Sequence, residues 1–137
     1  MQTFATDGLD SYRSSYSVAV TLDRLESAVR EKGMQVFARI DHAAGAGKVD
    51  MTLRPTELLI FGNPKVGTRL MQESQTAGLD LPLKALAWED ADGQVWLTLN
   101  TAEYLATRHG ITGQQEFLRK MTAALDALAQ TATTAGQ

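Results

Sequence analysis

The sequence predicts an α+β fold: a two-layer α/β domain with a mixed or antiparallel sheet of about five strands and helices packed on one face. Short segments rich in β-branched and aromatic residues alternate with segments that have apolar residues at helical spacing. The hydrophobic fraction, 44% of 137 residues, is ordinary for a globular protein and is enough for a core. We expect a single domain over residues 1–137, with a loose lead-in at 1–10 and a frayed tail at 131–137.

The first third of the chain predicts two strands around a helix. "SYRSSYSVAV" (11–20) is rich in β-formers, and Thr21 is placed to cap the helix that begins "LDRLESAVREK". Gly33 stands where a left-handed residue ends a helix. The next strand, 34–42, alternates, and we expect one of its faces to hold Met34, Val36, Ala38 and Ile40.

The middle of the chain predicts a buried strand followed by a helix. "AAGAGKVDM" (43–51) is ambiguous, because its alanines favour a helical turn and its glycines oppose one. "TELLIFG" (56–62) has four consecutive large apolar residues, which is typical of a strand buried on both faces. Residues 64 to about 75 are predicted to be helical.

The last part predicts a β-hairpin and two helices. "KALAWED" (84–90) and "QVWLTLN" (94–100) are joined by the turn signal "DADG", which sets Trp88 opposite or nearly opposite Trp96. Apolar spacing then indicates a short helix and a final helix. The predicted core comprises Val36, Ile40, Leu58, Ile60, Val95, Leu97, Phe117 and Met121.

Composition narrows the classes of function. The net charge of −3 and the pI of about 5.3 argue against nucleic acid as a partner, because phosphate binding needs a basic face. With no cysteine, disulfides and thiolate sites are excluded. No secretion signal and no membrane-length apolar run is visible, so we expect a cytoplasmic protein without a membrane role. We expect no cofactor.

Two histidines are too few for an ordinary metal site, and we expect no bound metal. His109 is best explained as a cation near the end of a helix. His42 follows Asp41 at the end of a strand, where site residues are common, but a plain polar strand end is the favoured interpretation over a ligand or acid–base role. "GAGK" (45–48) lacks the other residues of a phosphate-binding loop.

The segment "FGNPKVGT" (61–68) contains the strongest local signal. Asn63 is a good N-cap and Pro64 suits the first helical position. Lys65 then opposes the helix dipole, and Gly67 weakens the first turns. A small anion held by the helix N-terminus would explain the lysine. The alternative is that Lys65 reaches solvent or pairs with an acid such as Glu57 or Asp80.

Several stretches together resemble the family called domain of unknown function 302, over most of the chain from about Ser17 to Ile111. They are "FARIDHAAGA" (37–46), "LRPTELLIFGNPKVGTRLMQ" (53–72), "LDLPLKALAWED" (79–90), "VWLTLN" (95–100) and "LATRHGI" (105–111). The resemblance implies a small bacterial or archaeal α/β domain that tends to form dimers, and it implies no reaction or cofactor. This chain has Arg69 where the family pattern often has proline.

Three functions remain open. The first is a binding module with a small-anion site at Asn63, Lys65 and Gly67, to which His42 and Glu57 would add ligand-binding groups. The second is an interaction protein whose homodimer surface is its function. The alternative is an enzyme that uses His42, Asp41 and Lys65 in acid–base chemistry. Convergence of His42, Lys65 and Glu57 on one cleft would favour a site, whereas scattered positions would favour an interaction surface.

Overall fold

The computed structural model describes residues 8–135. Its strands are β1 (Leu9–Ser14), β2 (Gln35–Asp41), β3 (Thr56–Gly62), β4 (Leu83–Glu89) and β5 (Val95–Asn100). Its α-helices are α1 (Val18–Glu31), α2 (His42–Lys48), α3 (Pro64–Glu73), α4 (Ala102–Arg108) and α5 (Gln115–Thr133). A 3-10 helix spans Gln75–Leu79 between α3 and β4.

The five strands form one antiparallel sheet in the order β1-β5-β4-β3-β2. β4 and β5 form the predicted hairpin, with Trp88 directly opposite Trp96. Gly93 in the turn has φ +84°, a conformation that glycine adopts without strain. The predicted α+β fold, with a five-stranded sheet and helices on one face, is therefore confirmed.

Helices α1 and α5 pack against each other and cover one face of the sheet, which we call the helix face. Side chains of this face that are fully buried are Leu59 and Phe61 of β3, Ala85 and Ala87 of β4, and Leu97 of β5. The helices contribute Leu22, Leu25, Val29 and Leu128 to the same core. Burial of this apolar surface is the main term that favours the folded state.

The predicted core on β3 is wrong by one residue. Leu59 and Phe61 are fully buried, whereas Leu58 and Ile60 point to the opposite face and are only half-buried. Because side chains alternate along a strand, a shift of one residue exchanges the two faces completely. The run "LLIF" has no polar residue to mark the outer side, so the pattern could not select the helix face. Val95, Leu97 and Met121 are buried as predicted, and Phe117 is half-buried.

A β-bulge in β2 overturns the predicted common face of that strand. The pairing with β3 shifts between Val36 and Ala38, so Phe37 is the extra residue. Val36 pairs with Phe61 of the helix face. Beyond the bulge, Ala38 and Ile40 share the opposite face, and Ile40 is 40% exposed.

The predicted boundaries at the two ends of the chain also need correction. β1 ends at Ser14, and α1 begins at Val18 with the Ser17 side chain as its N-cap. Thr21 lies inside the helix, where its buried hydroxyl is 2.7 Å from Ser14 Oγ. β1 already includes residues 9–10 of the expected lead-in, and residues 1–7 lie outside the described part. At the other end α5 continues to Thr133, whose side chain is buried.

Candidate functional site

The sheet has a second apolar face, opposite the helix face, which we call the open face. Its apolar side chains are Ala38, Ile40, Leu58, Ile60, Leu86 and Trp88, and the polar side chains of Lys84 and Thr98 lie on the same face opposite Ile60 and Leu86. These side chains are half-buried or exposed, whereas their neighbours on the helix face are fully buried. Large apolar side chains that form a continuous, partly exposed patch mark an interaction surface.

The connection from the end of β2 to the start of β3 adds further exposed apolar side chains. We call residues 42–55, which include α2, the arm. Val49, Met51 and Leu53 of the arm are 65%, 67% and 47% exposed. α2 itself has no buried residue. The segment that the sequence left ambiguous is therefore a short exposed helix followed by an irregular stretch.

Glu57, one of the predicted ligand-binding residues, is occupied by a structural ion pair. Arg39 Nε donates to Glu57 Oε1 at 3.0 Å, and Arg39 Nη1 donates to Asp23 Oδ1 at 2.7 Å. Burial lowers the pKa of Arg39, but the hydrogen bonds to Asp23 and Glu57 outweigh burial and raise it. This cluster fastens β2 and β3 to α1.

His42 lies beside this end of β3, because the preceding residue, Asp41, pairs with Glu57. It is exposed at the first position of α2. Asp41 is the N-cap of α2, and its Oδ1 accepts the Ala44 N–H at 2.9 Å. His42 and Glu57 are thus brought to the same end of the sheet, but both carboxylates near His42 already have structural partners.

Asn63, Lys65 and Gly67 lie at the opposite end of β3. Asn63 caps α3 as predicted, with its Oδ1 accepting the Lys65 N–H at 2.9 Å. Six steps of roughly 3.3 Å along the strand separate Glu57 from Asn63, which is about 20 Å. The structure therefore does not bring Lys65 together with His42, Asp41 and Glu57.

The start of α3 presents two cations on its exposed side. Lys65 and Arg69 are one turn apart and line a shallow depression together with Thr68 and Gln72. In the part of the chain that the structure describes, neither cation has a carboxylate within ion-pair distance. The two acids named as alternative partners of Lys65 are engaged elsewhere, Glu57 by Arg39 and Asp80 by Arg108.

An apolar cavity of about 270 Å³ adjoins the same helix start. Its walls include Phe37, Met71, Leu81 and Pro82, and the backbone of Gly67 lies along it. A Cβ atom at Gly67 would be 3.7 Å from the Met71 methyl group, an ordinary contact distance. Gly67 is therefore not required by crowding. Because Gly67 has no side chain, the cavity beside it is wider than it would be with a larger residue.

His109 has partners that the sequence did not predict. It ends α4, as predicted, but its ring contacts residues near the 3-10 helix. His109 Nε2 lies 2.5 Å from Asp80 Oδ2, and Nδ1 lies 2.9 Å from Thr76 Oγ1. No sequence signal links these residues, because 29 and 33 positions separate His109 from its partners.

The carboxylates at the hairpin tip have structural roles. Asp90 accepts hydrogen bonds from Trp96 Nε1 at 2.9 Å and from the amides of Asp92 and Gln94. The Trp96 hydrogen bond is the largest cause of the lowered pKa of Asp90. Within residues 8–135, no group of three or more potential ligands is arranged to hold a metal ion.

Comparison with known proteins gives both a family and a fold. The model of the family described as "Domain of unknown function DUF302" matches residues 10–128. The crystal structure of an uncharacterized conserved DUF302 protein from Bacillus stearothermophilus superposes with a TM-score of 0.82 and 17% identity. The match covers 93% of this chain and 99% of that chain, and at this identity it supports the fold alone.

Curated relatives carry the name of a channel. The chain is 50% identical over 111 residues to "Fluoride-specific ion channel FluC 1" of Brucella suis and to the protein of the same name of Brucella abortus. The match covers 81% of this chain but only 44% and 41% of those proteins. This chain thus spans less than half the length of these relatives. Among residues 8–135, none of the helices has the length and apolar character to cross a bilayer.

Proposed function

We propose, from the premise that this chain belongs to the DUF302 family, that it is a homodimeric interaction module of the cytoplasm whose two copies meet through the open face. The observation that carries the proposal is the partial exposure of large apolar side chains of β2, β3 and β4 on one side of the sheet. Helices α1 and α5 cover the other side, whereas this part of the open face stays partly exposed in the structure of residues 8–135. Face-to-face packing of two sheets would remove it from water.

A second copy fits this surface better than a charged partner does. At the centre of the open face Leu58, Ile60 and Leu86 are apolar, and Lys84, which lies opposite Ile60, donates its ammonium to the backbone carbonyls of Asp80 and Pro82. A two-fold axis through such a patch would make it self-complementary. The apolar residues of the arm, Val49 and Met51, would then extend over the edge of the partner sheet. Together the face and the arm make a surface of the kind that stable homodimers bury.

The test measures molar mass at micromolar concentration by light scattering. We expect the wild type to have the mass of two chains. Ile40→Asp and Met51→Asp should each reduce it to the mass of one chain, because a charge at an apolar interface is costly to desolvate. Leu79→Asp is the matched control, since Leu79 is 73% exposed and lies outside both the open face and the arm. This control should remain dimeric.

Thermal melts of each variant must accompany the mass measurement, because a misfolded chain would also change its mass. A wild type with the mass of one chain would contradict the proposal. So would folded Ile40→Asp and Met51→Asp variants that remain dimeric.

As a second candidate function, we propose that the start of α3 binds a small anion. The cations Lys65 and Arg69, together with the Asn63 cap, support this proposal. Arg69 stands where the family pattern often has proline, so this chain gains a second cation beside the first. Its guanidinium lies 4.7 Å from the centre of the Phe117 ring and donates to Gln114 Oε1 at 3.3 Å, which limits its motion.

Melting temperatures with and without added phosphate, acetate or fluoride would test the anion site. We expect at least one anion to stabilise the wild type and to lose its effect in Lys65→Ala and Arg69→Ala. Without an anion, Lys65→Ala should be unchanged or more stable by about 0.3–1 kcal/mol, because the lysine opposes the helix dipole. Lys120→Ala, on an exposed part of α5, is the control. A wild type insensitive to every anion, with a Lys65→Ala variant that melts lower in all buffers, would contradict the site.

The names of the curated relatives support a further part of this proposal, that the module acts beside a fluoride channel. The identity of 50% over 111 residues is high, but more than half of each relative lies outside the match. We propose that the matched segment is accessory to the channel rather than its pore.

Fluoride efflux from vesicles can be compared for the whole Brucella suis protein and a version without the matched segment. We expect the shortened protein to conduct. Complete loss of conduction by a folded, inserted protein would contradict the proposal.

A further inference from the structure

A hydroxyl, an imidazole and a carboxylate form a chain of hydrogen bonds at the junction of the 3-10 helix and α4. Thr76 Oγ1 lies 2.9 Å from His109 Nδ1, and His109 Nε2 lies 2.5 Å from Asp80 Oδ2. The His109 side chain is only 6% exposed, whereas Thr76 is exposed. A protected base is therefore in contact with an accessible hydroxyl.

The partners of the ring define the direction of the hydrogen bonds. An ionised carboxylate can only accept, so His109 Nε2 carries the hydrogen that it donates to Asp80. In the neutral imidazole Nδ1 is then the acceptor, and the Thr76 hydroxyl donates to it. Arg108 Nη1 donates to both oxygens of Asp80 at 3.1 Å, which keeps that carboxylate fixed beside the ring.

The surrounding backbone holds this arrangement in place. Glu73 at the end of α3 accepts the amides of Thr112 and Gly113 at 2.9 and 3.3 Å, which ties α3 to the loop after α4. Lys84 Nζ donates to the carbonyl of Asp80 at 3.2 Å. Both segments that carry the hydroxyl, imidazole and carboxylate are therefore anchored. A nucleophile within reach of a base that a third group orients is the arrangement of nucleophilic catalysis.

We propose that Thr76 is a nucleophilic hydroxyl, activated by His109, that accepts acyl groups from small activated esters. Thr76 Oγ1 forms a bond to the carbonyl carbon, and its proton moves to His109 Nδ1. The bond from that carbon to the leaving oxygen breaks, and His109 returns the proton to the leaving group. Water then attacks the acyl-threonine, passes a proton through His109, and releases the carboxylic acid and the free hydroxyl. Asp80 acts as a positioning residue for the imidazole.

The shape of the neighbourhood favours short acyl chains. Gly78 belongs to the same 3-10 helix as Thr76, and it also lines the apolar cavity of about 270 Å³ together with Leu81. A cavity of this volume is at the small end of the range for ligand pockets. We therefore expect acetyl and butyryl esters to react and long-chain esters to react poorly.

The experiment treats the purified chain with p-nitrophenyl acetate and follows both phenolate release and the mass of the protein. We expect a burst of phenolate and one acetyl group located on Thr76 by peptide mapping. Thr76→Val should remove this adduct, and Thr76→Ser should retain it at the same position. His109→Gln should slow acylation by at least about tenfold, since general bases typically contribute ~10²–10⁴-fold.

Two controls separate this reaction from background chemistry. His42→Gln removes an exposed histidine that could react with the ester on its own, and Thr107→Val removes an exposed hydroxyl on the neighbouring helix. Neither should change the adduct on Thr76. A purely structural role for the cluster would lower the melting temperature of the variants without any acyl-threonine. The proposal is overturned if folded wild type has no adduct on Thr76, or if that adduct forms equally fast in folded His109→Gln.

Discussion

The two faces of the sheet are made by the same strands and both carry apolar side chains, yet on β2 and β3 they differ in burial. On the helix face Leu59 and Phe61 have no exposure, whereas Ile40 on the open face is 40% exposed and Leu58 and Ile60 are half-buried. The difference follows from the helices, which pack on one side only. Apolar character alone therefore does not identify the core of this protein. The position of α1 and α5 does.

The largest expected effect comes from neighbouring residues of β3 that point to opposite faces. Phe61→Ala should lower the free energy of unfolding by about 3–5 kcal/mol, because it leaves a cavity in the core. Ile60→Ala should cost less than about 2 kcal/mol, since its side chain is only partly removed from water. Urea unfolding at low protein concentration gives both values. Equal losses for the two variants would show that the faces do not differ in burial.

The sequence predicted the class of the fold because its signals are local. Strand-forming segments, the turn "DADG" and the cap at Asn63 each depend on a few adjacent residues, and the structure contains all of them. The choice between Leu58 and Leu59 as core residues depends on which side the helices pack. The bulge at Phe37, which exchanges the faces of β2, also has no local signature. Both features are set by tertiary contacts.

The candidate site was predictable to the same limited extent. Lys65 and His42 lie at opposite ends of β3. The sequence did not predict the distance between them, because the conformation of residues 43–51 in the arm was ambiguous. No role was predicted for Arg39, although its guanidinium forms an ion pair with Glu57 in the structure. Thr76, Asp80 and His109 meet only because α4 ends beside the 3-10 helix. Contacts between residues so far apart in sequence can be identified only from the folded structure.

A smaller effect should distinguish two arginines on opposite faces. Arg39 lies on the helix face, contacts Asp23 and Glu57, and also donates to the carbonyl of Ala19 at 3.1 Å. Arg39→Gln should cost about 1 kcal/mol, because these hydrogen bonds are charged but partly exposed. Arg13 lies on the open-face side, and its guanidinium makes a solvent-exposed hydrogen bond to the half-buried Gln94, so Arg13→Gln should change stability by less than about 0.5 kcal/mol. Chemical unfolding measures the loss of stability in each variant. A larger loss for Arg13→Gln than for Arg39→Gln would contradict the assignment of the structural ion pair to Arg39.

The proposed dimer predicts a concentration dependence that only open-face substitutions should alter. If the open face is buried between two copies, stability per chain should rise by up to roughly 0.7 kcal/mol for each tenfold increase in concentration, by mass action. Ile40→Asp should abolish this increase, and Leu79→Asp should retain it. Thermal melts over a wide range of protein concentration provide the measurement. A wild-type melting temperature that is independent of concentration would contradict a dimer that stabilises the fold.

The smallest expected effect concerns acid pH and the hairpin that carries Trp96 on the open-face side. The hydrogen bond from Trp96 lowers the pKa of Asp90 below its usual value of 3.8. A carboxyl group with a lowered pKa stabilises the folded state above its unfolded pKa, and this contribution is lost as the pH falls through the folded pKa. Asp90→Asn should therefore make unfolding less dependent on pH below about pH 4, where the wild type loses the contribution of this carboxylate. Asp92→Asn, at the same tip, is the matched control and should follow the wild type. The test is the urea midpoint of each protein measured as a function of pH across this range. Parallel plots of midpoint against pH for wild type and Asp90→Asn would mean that the carboxylate does not stabilise the hairpin.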